Sequence, residues 1–143
     1  MTRHSRRSAV YQTDNSPPES RRGGPALYSL VSFLMLLVGI WLLVGAWVIG
    51  YPFNEPAVDA HLNEMIVGVV VFLVALARLL RRRGPVSDLI IAVAGAWLIV
   101  APFVIGYGGT SKADAARINE VATGIVLILL AAVSLLAGRT RRA

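Results

Sequence analysis

Residues 39–51 read GIWLLVGAWVIGY and residues 95–107 read GAWLIVAPFVIGY. The two stretches lie 56 positions apart and superpose without a gap. Gly39 falls on Gly95, Trp41 on Trp97, Leu42 on Leu98 and Val44 on Val100, and Val48-Ile49-Gly50-Tyr51 falls on Val104-Ile105-Gly106-Tyr107. The same offset carries Asn63-Glu64 onto Asn119-Glu120, Gly68 onto Gly124, Leu73 onto Leu129 and Ala75 onto Ala131. Apolar matches are commonplace in a hydrophobic chain, but matched Trp, Gly-Tyr and Asn-Glu at a single offset are not. The sequence reads as a tandem duplication.

Each copy contains two apolar runs, at 26–49 and 65–80 in the first and at 89–105 and 121–137 in the second. About 20 helical residues, rising ~1.5 Å each, cross the ~30 Å hydrocarbon core of a bilayer. The first run carries no charge and is long enough alone. The other three are shorter and need help from their flanks. Arg81, Arg82 and Arg83 follow Leu80 directly and can snorkel to the headgroups. Arg78 is expected to snorkel as well. Open strands would leave backbone groups unpaired in lipid, and the runs lack the alternation of a barrel strand.

Composition agrees. The 143 residues are 56% hydrophobic and 15% charged, with a mean hydropathy of +0.66, against roughly 25% charged in a soluble domain. The chain has no cysteine, which excludes dithiol redox chemistry, thiolate metal sites and disulfides. The predicted fold class is an all-α membrane protein. It has four transmembrane helices, arranged as two tandem two-helix repeats in a parallel-repeat bundle, behind a disordered N-terminal tail. The predicted boundaries are a basic tail at 1–25, a first repeat at 26–83, a second at 84–138 and a basic end at 139–143.

The charges sort by side. Arg3, Arg6, Arg7, Arg21 and Arg22 precede the first run, and Arg78, Arg81, Arg82 and Arg83 lie at the connection between the second and third. Arg139, Arg141 and Arg142 close the chain. Only Lys112 and Arg117 fall in the other two connections, so twelve of the 14 basic residues share one face. The positive-inside rule makes that face cytoplasmic and places both termini there, in a multi-pass protein of the cell membrane. An even number of spans per repeat gives both copies the same orientation, with the pseudo-twofold axis along the membrane normal.

The tail has almost no large apolar residues and cannot bury enough surface to fold. A signal peptide is the competing reading, but the apolar run that follows is too long for its h-region, and no small-x-small site closes it. Five arginines could also mark nucleic-acid binding. No aromatic interleaving or folded module accompanies them, so anionic lipid is the better partner and nucleic acid is excluded from the prediction.

A Gly-x-Trp-Leu helix ending in a small-Pro-aromatic step, followed by an Asn-Glu-initiated helix and then duplicated, resembles the SPW-repeat integral membrane family over about residues 33–138. The family's Ser-Pro-Trp triplet would fall on Gly45-Ala46-Trp47 and on Ala101-Pro102-Phe103; Trp47 survives in one copy and Pro102 in the other. The resemblance implies a small multi-spanning bacterial membrane protein and brings no activity or catalytic residue with it.

The candidate ion or registration site is Asn63, Glu64, Asn119 and Glu120. Glu64, Gly68 and Ala75 are spaced i, i+4, i+11 on one helical stripe, and Glu120, Gly124 and Ala131 repeat it. Small residues let membrane helices approach closely, so Gly39, Gly68, Gly95 and Gly124 are read as packing positions and the glutamates as facing inward. Two such carboxylates could bind a cation or exchange protons. They could equally cap and register the helices, since acidic residues suit a helix N-terminus and Asn is a good N-cap. Alternatively the helices begin earlier, at the capping-box spacing Ser111-Lys112-Ala113-Asp114 and near Pro56. His61 and Arg117 would then sit three residues before Glu64 and Glu120 as local partners.

Trp47, Tyr51, Phe53, Phe103 and Tyr107 read as an aromatic belt at the outer headgroups. Trp41 and Trp97 lie two turns deeper, and their indole N–H groups need partners. Pro102 removes an interior helix hydrogen bond and predicts a bend near the outer end of the third helix; the first helix has no proline at the matching place. No catalytic triad, HExxH, CxxC, phosphate loop or dinucleotide fingerprint is present. The expected function is therefore not enzymatic and uses no cofactor or metal. The leading reading is a structural or interaction bundle packing against copies of itself or another membrane protein. The alternative is a transporter or cation/proton-conducting protein using Glu64 and Glu120.

Overall fold

A computed structural model describes residues 23–50, 57–80, 84–106 and 111–139. Four helices make up almost all of it: α1 (Gly23–Ile49), α2 (Ala57–Leu80), α3 (Pro85–Ala101) and α4 (Ser111–Arg139), with a single π-helical turn, Pro102–Gly106, extending α3. All four are long and apolar enough to cross a membrane. Among the described residues there is no strand. The expected tail lies outside the described residues except at 23–25, which open α1. The arginines at 81–83, 141 and 142, and Tyr51, Phe53 and Tyr107, also lie outside them.

α1 packs most extensively on α2 and α3 on α4; α1 also meets α4, and α2 meets α3. The core draws on every helix: Val31, Met35 and Leu42 from α1, Val67, Val71 and Ala75 from α2, Ile91, Ala94 and Leu98 from α3, and Leu127 and Ala131 from α4. Successive core positions on each helix fall three, four or seven residues apart, which keeps them on one stripe. Several occur as pairs at the same sequence offset: Met35 with Ile91, Leu42 with Leu98, Val71 with Leu127, Ala75 with Ala131. The opposite faces expose large apolar side chains throughout, Leu30, Ile66, Val93 and Leu129 among them. In water such a surface would aggregate; in acyl chains it is matched to its solvent.

Glycines set the closest helix approaches within each hairpin. A Cβ on Gly39 would stand 2.8 Å from the backbone nitrogen of Phe72, and one on Gly68 would stand 2.9 Å from Cβ of Leu42. Between α3 and α4 the contact is tighter. A Cβ on Gly95 would meet the carbonyl oxygen of Gly124 at 2.7 Å, and one on Gly124 would meet the Gly95 oxygen at 2.5 Å. Without a hydrophobic drive between helices in lipid, such backbone approach supplies the dispersion contacts that hold them.

Of the two helix starts left open by the sequence the earlier one holds, and the snorkelling expected of Arg78 is corrected. Helices α2 and α4 begin at Ala57 and Ser111, well before the apolar runs. Asn63 and Asn119 therefore lie inside the helices and are not N-caps. The apolar runs alone start later because the first turns also carry polar residues, some exposed, as Asp114 is, and some buried against the protein, as Asn63, Glu64 and Glu120 are. Arg78 does not snorkel: it is 2% exposed and turned into the protein, where four polar side chains meet it.

At the proline, α3 ends as an α-helix at Ala101 and continues as the π turn, whereas α1 stays α-helical to Ile49. Pro102 has no N–H for the i→i−4 ladder, and the wider turn accommodates the gap. Gly50 and Gly106 then both adopt φ 74°, the left-handed conformation that terminates a helix and that side chains resist. At the other end of α3, Gly84 is the extended N-cap residue and Pro85 opens the helix, where its missing donor costs nothing.

Candidate functional site

Most of the buried polar side chains among the described residues fall into two layers. In the first, Trp41 Nε1 donates to Asn119 Oδ1 at 2.9 Å, and Asn119 Nδ2 donates to Glu64 Oε1 at 2.9 Å. Its counterpart one offset away has Trp97 Nε1 donating to Asn63 Oδ1 at 2.7 Å and Asn63 Nδ2 donating to Glu120 Oε1 at 2.8 Å. Each asparagine thus reaches across to the Trp and Glu of the opposite hairpin. The two chains of bonds cross, and equivalent bonds have nearly the same length. Both glutamates are fully buried, at 0% exposure.

The chemistry of the three groups makes asparagine the natural centre. An indole N–H can only donate and an ionised carboxylate can only accept, so the bridge must offer one acceptor and one donor on a short, planar side chain. This also fixes which way each amide points. Trp41 and Trp97 stay partly exposed while their N–H groups turn inward to the asparagines, which supply the partner an indole N–H requires away from water.

The second layer lies at the other end of the helices and centres on Arg78. Its Nε donates to Ser32 Oγ at 3.3 Å, Nη1 to Ser87 Oγ at 2.8 Å and to Asp88 Oδ1, and Nη2 to Ser134 Oγ at 2.6 Å. One guanidinium on α2 therefore touches α1, α3 and α4 together. Ser87 also bonds Gly84 O, through Oγ at 2.7 Å and through its backbone N–H at 3.1 Å, which ties the layer to the residue that caps α3. A planar fork of five donors is suited to such a hub, and the Asp88 carboxylate supplies the compensating charge.

The remaining expected residues are spread around these layers. Trp47 is exposed and meets the ring of buried His61 edge-on, centroids 4.7 Å apart. The matching positions hold exposed Phe103 and Arg117, and Arg117 pairs with Asp114 one turn back at 3.4 Å. Gly45, Ala101 and Pro102 are buried, and Ala46 lies in α1. Among the described residues, no group of three or more His, Cys, Asp or Glu is placed to hold a metal ion.

A family model, the SPW repeat domain, matches residues 29–134. The chain belongs to the SPW repeat family. No curated protein and no solved structure matches it. The four spans and the family together make this SPW repeat protein a multi-pass membrane protein. The matched region contains both polar layers, from Ser32 near its start to Ser134 at its end.

The sequence singled out Asn63, Glu64, Asn119 and Glu120, and the structure brings all four together with Trp41 and Trp97. It missed the Arg78 layer. The signal was present in the offset itself, which carries Ser32 onto Asp88 and Arg78 onto Ser134, polar onto polar, in otherwise apolar helices.

Proposed function

We propose that this SPW repeat protein is a structural or interaction module of the cell membrane. Its two duplicated hairpins insert in the same sense, with the arginine-rich ends and both termini in the cytoplasm. The observation that carries this reading is the crossed Trp–Asn–Glu layer. It commits the polar groups of the outer half to bonds between the hairpins, as a registration device does. The lateral faces that remain are apolar and suited to lipid, to further copies of the chain or to another membrane protein.

A second reading has its own observation. Two fully buried glutamates are held at one level between α2 and α4, and buried intramembrane carboxylates commonly handle protons or cations. The pair Glu64→Gln with Glu120→Gln separates the two. Registration predicts a lower melting temperature in detergent and no change in any ion flux of reconstituted vesicles. Loss of a proton- or cation-dependent flux by a variant that keeps its helix content would transfer the proposal to conduction.

A further inference from the structure

The two polar layers differ in one respect. The crossed layer is self-compatible, because Asn119 makes for hairpin 23–49/57–80 the same bonds that Asn63 makes for hairpin 85–106/111–139. Two copies of either hairpin, placed about the same axis, would satisfy it equally well. The Arg78 layer is not self-compatible. The four positions related by the offset are 32 with 88 and 78 with 134, and they hold Ser with Asp and Arg with Ser.

All three partners outside hairpin 1 itself (Ser87, Asp88 and Ser134) come from hairpin 2, and the one acid in the layer is there too. Pairing hairpin 1 with its own copy would set a second Arg78 where Ser134 now accepts from Nη2 at 2.6 Å, with no acid present. Pairing hairpin 2 with its own copy would bring Asp88 to the place of Ser32, giving two acids and no base. Both like pairings leave like charges buried together in a medium of low dielectric, where an uncompensated charge is strongly disfavoured. Arg78 is 2% exposed and Asp88 6%, so water cannot screen them.

We propose that Arg78, Asp88, Ser32 and Ser134 form a pairing key that makes each first hairpin close on a second hairpin and rejects closure on an identical one. This rests on the duplicated-hairpin reading above. The crossed layer and the apolar core shared by all four helices give any two hairpins reason to associate, and the key decides which two do. Charged and polar groups placed to reject the wrong partner are a general route to specificity.

Full-length variants test it. The mirror variant, Ser32→Asp, Arg78→Ser, Asp88→Ser and Ser134→Arg, exchanges the key between hairpins. A basic variant, Asp88→Ser with Ser134→Arg, carries two arginines and no acid. An acidic variant, Ser32→Asp with Arg78→Ser, carries two acids and no arginine. Native mass spectrometry and melting in mild detergent are the readouts, with one variant tagged for capture.

The expected results are that the mirror variant melts close to the wild type, short only of the Ser87 bond, and keeps its copy number. The basic and acidic variants each lose the monodisperse species when made alone, and recover it as a 1:1 complex when made together. The tagged wild type should not capture the acidic variant. Failure of the mirror variant to fold while the crossed layer still responds to mutation would overturn the key and leave the duplication standing. Basic and acidic variants that are stable alone, or that never combine, would overturn it as well. Loss of equivalence in both layers would instead remove the duplicated-hairpin reading beneath it.

Discussion

Replacing Asn63 tests the crossed layer where its geometry is most explicit. Asn63→Ala removes two bonds, from Trp97 Nε1 at 2.7 Å and to Glu120 Oε1 at 2.8 Å. Interhelical hydrogen bonds within membranes average about 0.6 kcal/mol and reach about 1.7, so the pair accounts for about 1–3 kcal/mol. Burying Glu120 with one donor fewer adds a desolvation cost, ~1–3 kcal/mol for a fully orphaned group. Glu120 keeps other interactions, so the lower part of that range applies and the total loss is about 2–4 kcal/mol. Asn63→Asp is the sharper probe. It preserves an acceptor for Trp97 but turns a carboxyl oxygen toward Glu120 in place of the donating amide, so it should destabilise more than Ala. Trp97→Phe removes one donor and keeps most of the ring, for a loss of about 1 kcal/mol. Reversible unfolding in mixed detergent micelles measures all three. The expected order of stability is wild type, Trp97→Phe, Asn63→Ala, Asn63→Asp. An Asn63→Asp variant as stable as Asn63→Ala would refute the donor role assigned to the amide.

Other substitutions follow from the same contacts. Gly124→Ala sets a methyl 2.5 Å from the Gly95 carbonyl oxygen, a backbone atom that cannot step aside, and should lower stability by at least the ~1–3 kcal/mol of an overpacked core. Gly45→Ala, whose nearest contact is a Trp41 ring carbon at 3.4 Å, should stay within about 0.5 kcal/mol of wild type in the same melts. Arg78→Met leaves Asp88 buried without its charge partner and should cost about 3–5 kcal/mol, most of it recovered by adding Asp88→Leu. A double variant no better than the single one would show that the serines, and not the charge pair, dominate that layer.

Much of the fold was legible because a bilayer narrows the choices. Apolar runs long enough to span it leave a helix as the available element. The repeat offset matched two of the core pairs, Leu42 with Leu98 and Ala75 with Ala131, from the sequence alone. Helix starts were legible only as two alternatives, of which the earlier, from Pro56 and the capping-box spacing at 111–114, holds. Residues 57–64 and 111–120 contain Asp, His, Asn, Glu and Arg, which read as connection when each side chain is assumed to need water. In the structure Asn63, Glu64 and Glu120 obtain their partners from the opposite hairpin, a contact that no local window contains. Arg78 was misread for the same reason. A basic residue one turn from Arg81, Arg82 and Arg83 has the pattern of a snorkelling side chain, and only the convergence of Ser32, Ser87, Asp88 and Ser134 reveals an interior site. The offset did register those positions, but as mismatches, because the two hairpins carry different residues there.

The Trp47 end of the first hairpin and the Phe103 end of the second also differ. The first pairs Trp47 with His61 and remains α-helical to Ile49; the second has Phe103 on a π turn and an Arg117–Asp114 pair. The crossed layer directly beneath stays symmetric. The two hairpins thus share the bonds of the crossed layer and differ at the ends beyond it.

The orientation of the hairpins is open to one direct measurement. The chain has no cysteine, so single cysteines at positions 54, 84 and 109 can be labelled in intact cells by a thiol reagent that does not cross the membrane. Two same-sense hairpins with cytoplasmic ends predict labelling at 54 and 109 and protection at 84 until the membrane is permeabilised. Labelling at 84, or opposite behaviour at 54 and 109, would contradict the account.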